Sequence, residues 1–120
     1  MAINKKFGAK VRKLREERRQ SDRNFTLRKF AATLGITPTY LSKIERAEFP
    51  PPSAENIIKI AELLDQNPDE FLALANKKHP ELDGIIQENP VEMADFLRTA
   101  KGMSADELVK LTNQLRRKKK

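Results

Sequence analysis

The chain has 120 residues, 38% hydrophobic and 34% charged, and its 24 Lys/Arg against 17 Asp/Glu give a net charge of +7. That is room for one compact domain and an appendage, and a small scaffold for a catalytic cleft. The absence of cysteine excludes disulfide frameworks, thiolate zinc sites and cysteine nucleophiles, and it fits a reducing cytoplasm, the expected location.

Helical patterns run the length of the chain, and no stretch alternates as a strand would. Phe7, Val11, Leu14 and Arg18 follow helical spacing and predict a first helix over residues 4–19. The polar "RQSDRN", residues 19–24, reads as a loop. Thr26 is placed to cap a short second helix whose apolar stripe is Leu27, Phe30, Ala31 and Leu34. Gly35 ends it, because glycine adopts a left-handed conformation at little cost. Thr37 then caps a third helix with Pro38 in its first turn, where a missing N–H costs nothing, and Leu41 and Ile44 face inward.

"FPPPS", residues 49–53, cannot be helical. Ser53 caps a fourth helix bearing Ile57, Ile60, Ala61 and Leu64, and Asn67-Pro68 opens a fifth bearing Phe71, Leu72 and Leu74. "NKKHP", residues 76–80, reads as a joint. Beyond it come three shorter helical patterns: residues 81–88, a helix opened by Pro90 with Met93, Phe96 and Leu97, and one with Leu108, Leu111 and Leu115. Ser104 and Glu107 form a capping box for the last. The final "RRKKK" is expected to fray. The domain boundaries read as 1–76 for an N-terminal domain and 77–120 for a C-terminal helical extension with a basic tail.

Charge is unevenly placed. Residues 1–50 hold 13 Lys/Arg against 5 Asp/Glu, a net +8, whereas residues 51–100 are at −6 and residues 101–120 at +5. The basic first part points either to a polyanion such as nucleic acid or to plain solubility. Lys5, Lys6, Lys10, Arg12 and Lys13 on the first helix are, by the same choice, a solvated face or a surface close to DNA. No apolar region follows the N-terminal charges, so no signal peptide is expected, and no run approaches the roughly 18 apolar residues of a membrane span. His79 has no second ligand at metal spacing, and Asp65, Asp69 and Glu70 lack a calcium-loop pattern. No metal, cofactor or catalytic set is expected, and the chain reads as a binding protein and not an enzyme.

Two short helices joined by a glycine-containing turn make a helix-turn-helix. Phe30, Ala31, Leu34, Ile36, Leu41 and Ile44 suit its inner side, and the bend leaves the leading edge of the second helix to project outward. An α-helix fits the DNA major groove, where each base pair shows a distinct pattern of donors and acceptors. The stretches "VRKLREER" (11–18), "FTLRKFAATLGITPTYLSKIER" (25–46) and "PSAENIIKIAELLDQNPDEFL" (52–72) resemble the lambda-repressor-like family, also called Cro/C1 or XRE, over about residues 5–75. The resemblance implies an all-α, five-helix DNA-binding domain, here with a small C-terminal helical extension. It implies sequence-specific binding of double-stranded DNA by a dimer on a partly palindromic operator, and regulation of transcription, most often repression.

By position, the resemblance puts Pro38, Thr39, Ser42 and Lys43 on the face that enters the major groove. It assigns Thr26, Arg28, Thr37, Tyr40 and Arg46 to the DNA backbone, and Arg15 and Glu45 to a structural pair tying the first helix to the third. Three departures stand out. The loop over residues 19–25 is about five residues longer than the common form, with Arg23 and Lys29 beside it. Leu27 stands where glutamine is frequent. "AEFPPP" replaces a turn of Gly and basic residues, and its Glu48 is expected to turn that loop away from phosphate.

The apolar positions of the extension exceed what a tail needs, which favours a homodimer through residues 80–120. The competing readings are an antitoxin of the same fold that neutralises a toxin and regulates its own synthesis, and a restriction–modification controller. A protein partner, toxin or antirepressor, follows from the first.

Overall fold

The computed structural model describes residues 4–119, and every element within them is an α-helix. In chain order these are α1 (Lys5–Ser21), α2 (Leu27–Leu34), α3 (Pro38–Glu45), α4 (Ala54–Leu63), α5 (Pro68–Leu74), α6 (Glu81–Glu88), α7 (Pro90–Ala100) and α8 (Ala105–Lys118). They fall into two compact units that divide between Pro80 and Glu81.

The helix starts follow from side-chain capping. Asn4, Thr26, Thr37, Ser53 and Asn67 each accept a hydrogen bond from a backbone N–H in the first turn of the helix that follows. The helix ends share a second device. At Gly35 (φ 75°) the chain turns left-handed, Ile36 N–H reaches the Ala31 carbonyl at 3.0 Å and Gly35 N–H that of Ala32 at 3.1 Å. That is the Schellman closure. The same pair of bonds closes α3 at Ala47, α4 at Asp65 and α5 at Asn76, with φ of 58°, 56° and 56°.

α1 is longer than the sequence pattern indicates. Arg19, Gln20 and Ser21 are helical, so the loop assigned to residues 19–25 shrinks to four residues, Asp22 to Phe25. Nothing in 19–21 breaks a helix, and Arg18 and Arg19 in the last turn suit the negative end of the helix dipole. The break comes at Asp22, whose carboxylate accepts from Asn24 N–H at 3.0 Å.

The core of the first unit joins all five of its helices. Phe7 and Val11 come from α1, Phe30, Ala31 and Leu34 from α2, Leu41 and Ile44 from α3, Ile57, Ile60 and Ala61 from α4, and Phe71 and Leu72 from α5. Phe7 meets Phe71 edge-on at 6.1 Å, which joins the two ends of the unit. Arg18 occupies an apolar-stripe position but is not core. It donates to the Leu63 carbonyl at 2.9 Å, pairs with Asp65 and lies 5.5 Å from the Phe25 ring centre, so it caps the end of α4 from α1.

In the second unit α6 packs on α7, and no residue of α6, α7 or α8 is buried. The capping box at Ser104 is formed, and the Ser104 N–H holds the Glu107 carboxyl below its usual pKa. The basic end is helical further than its composition implies: α8 continues through Lys118, with Arg116, Arg117 and Lys118 in its last turn, where cations offset the carbonyl dipoles. Lys120 lies outside the described residues.

Candidate nucleic-acid interface

α3 is eight residues long and two-sided. Leu41, Ile44 and Glu45 are buried, while Thr39, Ser42 and Lys43 turn away from them and Pro38 stands at the edge between, all four half-buried or exposed. The split follows from 3.6 residues per turn: positions 41, 44 and 45 fall within one sector of about 100°, and 39, 42 and 43 within another turned away from it. Thr37 Oγ1 accepts from Tyr40 N–H at 3.1 Å, and Thr26 Oγ1 from Lys29 N–H at 3.2 Å. Both hydroxyls keep their own proton for a further acceptor, and both stand at helix N-termini, where N–H groups favour an anion. Arg28 is exposed on α2.

Two contacts fix α3 to α1. Arg15 donates through Nε to Glu45 Oε2 at 2.7 Å and through Nη2 to Glu45 Oε1 at 2.8 Å, a two-pronged pair between side chains 9% and 4% exposed. The bond to Glu45 raises the already high Arg15 pKa against the lowering effect of burial. Gly8, also buried, is the second contact. A Cβ there would lie 2.5 Å from the Ile44 carbonyl oxygen and 2.7 Å from that of Glu45, so the backbones of α1 and α3 touch. Sequence reasoning passed over Gly8. Its signal was there: positions 8, 11 and 15 lie on one face, so a glycine stands on the packing face of an otherwise regular helix.

The loop after α3 folds back on the helix. Beyond the left-handed Ala47, the N–H groups of Glu48 and Phe49 both donate to the Lys43 carbonyl, at 2.8 and 3.3 Å. Phe49 then lies against Tyr40, ring centres 5.9 Å apart, with the Lys43 Nζ 5.0 Å from its own centre. Glu48 pairs with Arg46 at 3.1 Å, so the guanidinium assigned to a phosphate is already partly neutralised by a neighbour. Both side chains are half exposed, and such a pair is worth at most about 1 kcal/mol, little enough for a phosphate to displace Glu48.

The described residues hold no group of His, Asp or Glu that could bind a metal, and no helix among them is long and apolar enough to cross a membrane. A capped helix pair, a left-handed glycine turn and a second helix with one polar edge turned outward define the DNA-binding helix-turn-helix class. A family model described as a helix-turn-helix domain matches residues 8–77, and the chain belongs to this family of Cro/C1-like helix-turn-helix regulators. No curated protein and no solved structure matched the chain.

Proposed function

We propose that the chain is a sequence-specific transcriptional regulator, a dimeric repressor that also controls its own synthesis and reads a partly palindromic operator through the major groove. The observation that carries this reading is the outward edge of α3, polar and accessible on a helix that two buried contacts hold in place. Pro38, Thr39, Ser42 and Lys43 read base edges. Thr39 donates to a base or touches a thymine methyl, Lys43 donates to guanine O6 or N7, and Pro38 offers only apolar contact. Thr26, Arg28, Thr37, Tyr40 and Arg46 hold the sugar–phosphate backbone. Arg15 and Glu45 position the helix and touch no DNA.

The test is selection of bound duplexes from a randomised pool, followed by footprinting on the DNA upstream of the protein's own gene. A protected, partly palindromic site is the expected result, and retention of all duplexes alike would end the reading. On the selected duplex Lys43→Ala should cost about 1–3 kcal/mol. An equal loss on every sequence would make Lys43 a phosphate contact instead.

The dimer is proposed to form through the extension, residues 77–120. Its support is the apolar side chains left uncovered there, among them Ile85, Phe96, Leu97, Leu108 and Leu115, each more than two-fifths exposed. A two-fold dimer on a partly palindromic operator would have its two α3 helices about 34–36 Å apart, one turn of DNA. Deleting residues 81–120 should leave a folded monomer that binds the selected duplex far more weakly. If sedimentation finds the intact chain monomeric at tens of micromolar and it co-purifies with a second protein, the antitoxin reading takes its place.

A further inference from the structure

The sequence leaves Phe49 outside the interface, in a loop expected to turn away from DNA, and the geometry points elsewhere. We infer that Phe49 is a positioning residue for Lys43: its ring holds the ammonium in the direction from which it reads a base, and so raises sequence discrimination. The inference rests on the reading of Lys43 as a base contact.

Lysine is a point charge on a flexible four-carbon stem, and an unrestrained one gives up rotamer freedom when it binds. Here the freedom is already reduced. The Lys43 Nζ lies 5.0 Å from the centre of the Phe49 ring, within the range at which a ring face attracts a cation. The ammonium keeps N–H donors on the side away from the ring, so a base edge can be engaged without giving up this contact.

The ring is itself held from three directions. Tyr40 packs against it at 5.9 Å with the planes inclined by 51°. The backbone N–H of Phe49 is bonded to the Lys43 carbonyl, so ring and ammonium belong to one closed turn. Pro50, Pro51 and Pro52 follow at once and stiffen the chain beyond it, and Pro52 is buried. A residue 39% exposed at such a spot adds little to the core. Its ordered contacts run to the two α3 side chains, Tyr40 and Lys43. Preorganisation of this kind raises affinity by lowering the ordering cost of binding, and the gain falls on the contact that needs the group in the direction in which it is already held.

The probes are the duplex selected by the wild-type chain and a scrambled duplex of the same composition. The proteins are wild type, Phe49→Leu, Phe49→Tyr, Lys43→Ala and the double variant Phe49→Leu/Lys43→Ala. Leucine keeps apolar bulk against Tyr40 and removes the ring face, so the fold should survive. Phe49→Leu should weaken binding of the selected duplex about three- to fivefold, leave the scrambled duplex unchanged, and add no further loss in the Lys43→Ala background. Phe49→Tyr should bind as wild type does. A Phe49→Leu loss that is equal on both duplexes, or that persists without Lys43, overturns the inference and makes the ring a DNA contact or a packing residue. A Lys43→Ala loss on the selected duplex with no effect of Phe49→Leu overturns it while leaving the base contact standing. A Lys43→Ala variant that binds both duplexes normally removes the base contact and this role together.

Discussion

Arg15→Ala is expected to destabilise the unit that ends at Pro80 by about 3–5 kcal/mol, because truncating one member of a buried ion pair leaves the other charged, dry and unpartnered. A unit of this size has a total stability of about 4–11 kcal/mol, so the loss would lower its melting temperature by about 12 °C or more. The Glu45 side chain is 4% exposed and its two oxygens face the two guanidinium donors, so truncating Arg15 takes both of their partners away. The effect should therefore reach DNA binding even well below the melting point, through a loosened α3. Two controls separate this cause from a general loss of charge. Arg12 pairs with Glu16 at 3.4 Å with both side chains 54% exposed, so Arg12→Ala should change stability by less than about 1 kcal/mol. Replacing both partners, as Arg15→Met with Glu45→Leu, should recover most of the stability, since two apolar side chains of similar size need no pairing. Thermal denaturation followed by circular dichroism decides it: an Arg15→Ala melt that overlays the wild type would show that the pair does not hold α3.

How much of this was legible in the sequence depended on whether a position's chemistry is unique. Thr26, Thr37, Ser53, Asn67 and Ser104 announce helix starts because only a short polar side chain reaches the free N–H groups. Helix ends were half legible. Gly35 marks one plainly, but the same left-handed closure occurs at Ala47, Asp65 and Asn76, where Asn and Asp are weaker signs and Ala is none. At those three the turn is held by backbone bonds and packing, which outweigh the roughly 1 kcal/mol cost of a side chain in that conformation. The end of α1 is masked for a related reason: a polar, charged stretch looks like loop, yet Arg19 and Gln20 are good helix formers and continue the helix until Asp22. Long-range contacts were the least visible. Spacing rules say nothing of Arg18 reaching the Leu63 carbonyl or of Phe49 returning to Lys43. In the extension the apolar stripe was legible, but spacing along one element says nothing of what packs on it.

Gly8→Ala carries the second large expected effect, and its sign is opposite to that of the usual substitution. Alanine inside a helix is favoured over glycine by about 1 kcal/mol. At Gly84 in α6, where an added Cβ meets nothing within 4 Å, Gly84→Ala should gain up to that amount. At Gly8 the added atom would stand 2.5 Å from the Ile44 carbonyl oxygen and 2.7 Å from that of Glu45. Those are backbone atoms of α3, so no rotamer change relieves the clash and the helix must shift as a body. Overpacking of a close contact costs about 1–3 kcal/mol, occasionally more. Because the obstruction here is rigid on both sides, the net loss should sit near the top of that range despite the propensity gain. The shift would also carry Glu45 away from Arg15, so the two effects should not add: in the Arg15→Met/Glu45→Leu background, Gly8→Ala should cost measurably less than in the wild type. Since the displaced element is α3, Gly8→Ala should also weaken binding of a selected duplex at temperatures where the variant is still folded. A Gly8→Ala protein that melts at or above the wild-type temperature would mean that α1 and α3 are not in backbone contact, and that the Arg15–Glu45 pair holds α3 without it.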